Sequence, residues 1–144
     1  MRTSSKSRYA VAALVDLALQ QSRRPTALAD IAKRQEISIS YLEQLFARLR
    51  QAGLIRSVRG PGGGYVLARA AKDISIGDIA TAVAGPEDGA PAEPGTGPVQ
   101  ARTIILWHEV EAETAKLLSG INLEQVLAYG DSSATLSTIH EAAA

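Results

Sequence analysis

Between residues 54 and 68 the hydrophobic pattern of the chain changes period. Leu54-Ile55-Arg56-Ser57-Val58-Arg59 and Tyr65-Val66-Leu67-Ala68 are short β-type runs, and Gly60-Pro61-Gly62-Gly63-Gly64 stands between them. Three consecutive glycines form a tight hairpin tip or let one backbone approach another closely. No Gly-Lys-Ser/Thr follows the run, so it does not have the form of a phosphate-binding loop.

The sequence before this hairpin has helical spacing. Tyr9, Ala13 and Leu17, widened by Val11, Leu14, Val15 and Ala18, mark a helix over about Ser5–Gln21. After the turn Ser22-Arg23-Arg24, Pro25 is expected to open a second helix carrying Leu28, Ile31 and Ala32 inward and ending near Gln35-Glu36. A turn centred on Ile37 leads to a third helix with Leu42, Leu45, Phe46 and Leu49 on one face, stopped by Gly53. Helix, helix, turn, helix and glycine-tipped hairpin is the order of a winged helix-turn-helix. The expected fold is therefore mainly α with a small β-hairpin wing.

A further helix spans about Ile74–Val83, with Ser75 or a neighbour as cap, and residues 1–83 form the expected DNA-binding unit. Residues 84–98 hold four prolines and four glycines and are read as a mobile effector loop. A long helix follows over about Val99–Ser119, with Ile105, Leu106, Val110, Leu117 and Leu118 apolar and Glu109, Glu111 and Glu113 outward. The chain offers too few neighbours to cover that stripe, so Leu106, Val110 and Leu117 are expected at a homodimer contact. Asn122-Leu123-Glu124-Gln125 looks like the cap of a short last helix reaching about Tyr129, which places dimerisation and short helices within 99–129 and a frayed tail in 130–144.

The net charge of zero hides a division. Residues 1–72 carry 13 of the 15 Lys and Arg against four acids, a net +9, and residues 73–144 are correspondingly −9. A solvated basic surface accounts for this as well as a polyanion partner does. On the third helix, Tyr41, Gln44 and Arg48 are spaced to share a face opposite the leucines. Gln pairs with adenine edges, Arg with guanine or phosphate, and Tyr with phosphate. Glu43 follows Ser40 at capping-box spacing, which makes Ser40 the expected N-cap and Glu43 its reciprocal partner. Enzyme chemistry finds no footing: there is no cysteine, no Gly-x-Ser-x-Gly and no His-Glu-x-x-His. No stretch is apolar enough for a membrane helix and no export signal is evident, so a cytoplasmic location without membrane contact is expected.

From Thr3 to Asp78 the sequence resembles the IscR-like winged-helix transcription regulators of the Rrf-two type. The resemblance rests on Ser5-Lys6-Ser7-Arg8-Tyr9-Ala10-Val11, Leu28-Ala29-Asp30-Ile31-Ala32, Ile37-Ser38-Ile39-Ser40-Tyr41-Leu42-Glu43-Gln44-Leu45-Phe46 and Ser57-Val58-Arg59-Gly60-Pro61-Gly62-Gly63-Gly64-Tyr65. It covers about half the chain; Leu106-Trp107 and Ile121-Asn122-Leu123 match more weakly. It implies a dimer on a partly palindromic operator in double-stranded DNA. Ser38, Ser40, Tyr41, Glu43, Gln44, Arg48, Arg59, Gly60, Gly62 and Gly63 would then be DNA-binding positions, with Lys6 and Arg8 on phosphates. Arg59, at the base of the wing, would enter the minor groove. Glu43 would act as a selectivity element that accepts from cytosine and repels phosphate, a role set beside its capping one.

The second half departs from that family. Its cluster-binding members carry three cysteines and a histidine before the long helix; here the Pro/Gly loop stands there, and Ala101-Arg102-Thr103-Ile104 falls where Cys-x-x-His would be. A thiolate-held iron–sulfur cluster is impossible in a chain without cysteine, so no cofactor is expected. Either the chain is naturally cluster-free or cysteines have been replaced, at Ala90, Ala92 and Ala101, and the missing histidine favours the first. His108 and His140 are the only histidines; His108 beside Glu109 and Glu111 reads more readily as a surface residue than as a metal ligand. The expected function is regulation of iron–sulfur, iron or sulfur-metabolism genes. The alternative is a regulator controlled by a bound protein effector, a metabolic enzyme.

Overall fold

The computed structural model describes residues 4–20, 24–86 and 97–130. The chain runs α1 (Ser5–Gln20), α2 (Leu28–Gln35), α3 (Ile39–Gln51), β1 (Ile55–Val58), β2 (Gly64–Leu67), a 3-10 turn (Ala71–Asp73), α4 (Ile76–Val83), α5 (Pro98–Ser119) and α6 (Leu123–Leu127). The architecture is the mainly helical winged helix-turn-helix read from the pattern, with a long helix after it. The Ser22-Arg23-Arg24 turn, most of the 84–98 loop, the tail after Gly130 and His140 lie wholly or partly outside the described residues.

The core is assembled by the stripes identified above. Ala10, Ala13, Leu14 and Leu17 of α1 meet Ile31 and Ala32 of α2 and Leu42, Leu45, Phe46 and Leu49 of α3. Tyr9 does not join them: it is 45% exposed, its ring turned onto Tyr41. Pro25 does not open α2 either. Thr26 exchanges backbone hydrogen bonds with Tyr65 at 3.0 and 2.8 Å, which holds this stretch extended, and Ala27 becomes the N-cap. At the other end of α2, Glu36 adopts the left-handed conformation (φ 53°), and Ile37 donates back to the Ala32 carbonyl at 3.0 Å before entering the core.

The cap of α3 is Ser38, two residues earlier than the capping-box reading. Its hydroxyl accepts from the Tyr41 N–H at 3.2 Å, so Glu43 lies beyond the first turn and has no cap to complete. At α4, by contrast, Ser75 and Asp78 form the full reciprocal box, and Asn122 and Gln125 do the same at α6.

The wing is a two-stranded antiparallel hairpin pairing Ile55 with Leu67 and Val58 with Gly64. Its glycines have separate jobs. Gly63 N–H donates to Gly60 O at 2.9 Å across Pro61 and Gly62 (φ 74°), the geometry of a type II turn. Gly64 lets β2 lie against the Thr26–Ala27 backbone, where a Cβ would come within 2.3 Å of the Thr26 oxygen. Tyr65 then packs edge-on against Phe46, centroids 5.0 Å apart. Tyr65 thus fastens the wing to α3 and to the extended segment that leads into α2.

The C-terminal segment returns to this core. Leu123 of α6 is fully buried within it, with Ile76 N–H donating to Ile121 O and Leu123 N–H to Ile74 O, both at 2.8 Å. α5 has 22 residues, none of them buried, so the 99–129 segment joins one exposed helix to one that completes the N-terminal core.

Candidate nucleic-acid interface

The first turn of α3 projects past the core. Ile39 lies seven residues before the buried Phe46, on the same side of the helix, yet is 49% exposed because no element lies beneath it. Ser40, Glu43, Gln44 and Ala47 are all exposed and fall within about 100° of arc, since successive residues turn ~100°. This is the surface α3 offers to a groove: two short polar groups, one acid and one small apolar residue. A major groove admits a helix with such side chains at base-edge distance.

Tyr41 and Arg48 lie within about 60° of Gln44 around α3, as their spacing implies, but on the side where neighbouring elements half-cover them. Tyr41 is half-buried, packed edge-on against Tyr9 with centroids 5.8 Å apart. Arg48 is also half-buried, and its Nη1 donates to the Val83 carbonyl at 2.7 Å. A cation on the last carbonyl of α4 opposes the negative end of that helix, so part of the Arg48 guanidinium braces α4 against α3. Ser38 and Ser40 stand at the exposed start of α3, with Ser38 engaged as its cap.

The Tyr9–Tyr41 contact brings the start of α1 beside the start of α3. Lys6 and Arg8 both belong to the first turn of α1, Lys6 half-buried and Arg8 exposed. Arg59 is exposed and lies in the loop joining the two strands, so it sits toward the wing tip rather than its base. Its guanidinium makes no hydrogen bond or ion pair among the described residues. Gly60, Gly62 and Gly63 shape the turn that follows it.

Behind this surface, α1 and α2 are locked by charge. The Asp16 carboxylate, 6% exposed, accepts from Arg34 Nη2 at 2.7 Å, from Arg34 Nε at 3.0 and 3.2 Å, and from Gln35 Nε2 at 2.9 Å. Burial alone raises the Asp16 carboxyl pKa, but the hydrogen bonds from Arg34 and Gln35 with the Arg34 charge outweigh it and hold it below its ordinary value. Arg34 is held above its own by the same partner.

On α5, Leu106, Val110 and Leu117 are 49%, 44% and 65% exposed and lie within about 40° of one another around the helix. Leu118 turns away from them toward α1 and α6, so the apolar set read from the sequence divides between two faces. His108 is exposed, and no three His, Cys, Asp or Glu among the described residues are placed to hold a metal ion. With no cysteine in the chain, its side chains do not match the thiolate donor set of an iron–sulfur cluster. No helix among the described residues is long and apolar enough to cross a membrane.

The sequence reading missed Ile39 and Ala47 on the exposed face of α3. Ala47 gave a signal, lying three residues after Gln44 and off the leucine stripe. Ile39 gave none, because only the end of the core exposes it.

Residues 3–129 match the model of the Rrf2 family, described as an iron-dependent transcriptional regulator. The HTH-type transcriptional regulator IscR of Photobacterium profundum is 46% identical over 130 residues, covering 88% of this chain and 76% of that protein. Among solved structures, IscR of T. potens superposes with a TM-score of 0.74 at 37% identity, covering 91% of this chain and 89% of its own. CymR, the global cysteine regulator of B. subtilis, gives 0.73 at 34% identity, covering 91% and 99%.

Proposed function

Because the chain belongs to the Rrf2 family of transcriptional regulators, we propose that it binds a partly palindromic operator in duplex DNA as a homodimer, without a thiolate-held cluster. The observation that carries this reading is the uncommitted α3 surface of Ser40, Glu43, Gln44 and Ala47, set in a half of the chain with net charge +9. In this reading α3 enters the major groove. Gln44 reads a base edge, and Glu43 accepts from cytosine while repelling phosphate elsewhere. Arg59 reaches the adjacent minor groove, where negative potential is focused. Lys6, Arg8 and the Ser38 region set the register on the phosphates. Two copies paired along Leu106, Val110 and Leu117 place two α3 helices on half-sites about one helical turn apart.

The absence of cysteine supports operator choice that does not depend on cysteine-ligated iron. The genes controlled are, in this reading, those of iron–sulfur, iron or sulfur metabolism. Binding to a labelled duplex recovered by selection from random sequence tests the proposal. Affinity is expected to fall steeply with salt, log K dropping by about 0.9 per log unit of salt for each phosphate neutralised. Footprints should show two protected half-sites, and binding should be the same with and without iron. Salt-insensitive binding, or none to any duplex, overturns DNA recognition. A cluster absorption band in anaerobically purified protein overturns the cluster-free part alone.

A further inference from the structure

We propose that Ile39 and Ala47 are specificity-determining residues that read the 5-methyl groups of thymines on either side of the base edge that Glu43 meets. The inference rests on the reading of α3 as the major-groove helix and adds the bases that its apolar side chains select. A single exposed isoleucine needs no explanation on an ordinary surface. Ile39 differs in where it stands. It is the first residue of α3 after the Ser38 cap, and the staple positions around that cap are held by Ile37 and Leu42, both in the core. Ile39 belongs neither to that core nor to the half-buried apolar residues packed against it. Its branched side chain also brings no gain in helix propensity.

Ile39, Glu43 and Ala47 follow one another at intervals of four residues, about 6 Å of helix per step with ~40° of rotation. All three are exposed, and the row adjoins Ser40 and Gln44 in the half of the chain with net charge +9. They form one ridge with an acid in the middle and an apolar group on each side. Of these three side chains only that of Glu43 can make a hydrogen bond. Against a phosphate or a polar base edge, Ile39 and Ala47 would strip water from donors and acceptors without replacing the lost bonds. The apolar group that a base pair offers in the major groove is the thymine C5-methyl, and that is the surface these two side chains fit. At ~3.4 Å per base pair, a step of ~6 Å places the two methyls about two base pairs to either side of the Glu43 contact.

The Ile39 contact is the larger of the two, because its side chain covers a methyl more fully than the Ala47 Cβ can. Burying one methyl-sized group corresponds to about fourfold in affinity, so two half-sites multiply it to about 16-fold for each base position.

The test replaces each thymine in turn by deoxyuridine, which removes the methyl and keeps the base pair. It uses the full chain and the operator recovered by selection from random sequence. The Glu43 column of that operator is the one whose preference broadens in Glu43→Ala. Thymine should be preferred on both sides of it, and uracil in both half-sites should weaken binding by about 16-fold in the more sensitive column. In Ile39→Ala, which alters an exposed side chain and should melt with the parent, uracil should cost nothing in one column and keep its effect in the other. Ala47→Gly, assayed where it is fully folded, should do the reverse. Ile39→Val, which keeps a branched pair of methyls, should retain most of the discrimination. Cytosine placed in the column that responds to Ile39→Ala should bind better when 5-methylated, because the methyl rather than the thymine edge is read. Equal binding of uracil and thymine operators, or no uracil-sensitive thymine beside the Glu43 column, overturns the methyl reading and leaves DNA recognition standing. A uracil penalty that survives both Ile39→Ala and Ala47→Gly assigns the methyls to other residues and overturns these two. Absence of binding to any duplex overturns the DNA reading and this inference together.

Discussion

Replacing Gly64 by alanine asks whether backbone packing holds the wing in place. The new Cβ would sit 2.3 Å from the Thr26 oxygen, 2.4 Å from its carbonyl carbon and 2.8 Å from the Ala27 nitrogen. All three atoms are backbone, so no side chain can swing aside and the strand itself must retreat. The bonds exposed to that retreat are Thr26 N–H to Tyr65 O at 3.0 Å and Tyr65 N–H to Thr26 O at 2.8 Å. Two such bonds at about 1 kcal/mol each, with part of an edge-on aromatic contact at ~0.5–1.5 kcal/mol, give a loss of about 2–3 kcal/mol. Reduced freedom of the unfolded chain returns ~0.4–1 kcal/mol of that. Urea denaturation followed by circular dichroism should show a lower midpoint with an unchanged slope. Operator affinity, measured where the variant is fully folded, should fall because Arg59 moves with the hairpin. Gly120→Ala is the control: its Cβ meets only Leu117 O at 3.5 Å and Lys116 O at 3.6 Å, ordinary contact distances. A Gly64→Ala midpoint equal to that of the parent or of Gly120→Ala would refute the claim that this approach holds the wing.

Ser38→Ala should cost about 1 kcal/mol of stability through the lost cap, whereas Glu43→Ala should stay within ~0.5 kcal/mol and broaden operator preference; equal melting losses would return Glu43 to a capping role. Asp16 has a folded pKa below its unfolded value, so its contribution is present at neutral pH, declines below about pH 4 and is lost as pH falls through the folded pKa. Asp16→Asn should flatten that part of the pH–stability curve, and an unchanged curve would show that the Arg34 pair contributes nothing. Val110→Asp, on the exposed α5 stripe, should convert a dimer to a folded monomer in sedimentation, and a dimer that survives the charge would move the interface elsewhere.

The local grammar of this chain was legible from residue types alone. Helical periods, the glycine-tipped hairpin, the Ser75 and Asn122 caps and the basic half all depend on neighbours within a few positions, where propensity and side-chain reach dominate. The readings that failed were those in which a distant segment outbid a local signal. Pro25 has the form of a helix opener, but Thr26 is drawn into a bridge with Tyr65, 39 residues away, and stays extended. Ser40 and Glu43 have capping-box spacing, yet the buried Ile37 and the turn at Glu36 start α3 earlier and give the cap to Ser38.

The sequence by itself determined which elements form, in what order, and that one half carries the positive charge. Only the tertiary structure decided which turn of α3 stands clear of the core, which glycine touches foreign backbone, and which apolar residues of α5 remain uncovered. The physical reason is one of range. Backbone propensity and charge are properties of neighbours along the chain, whereas exposure depends on where unrelated segments happen to lie.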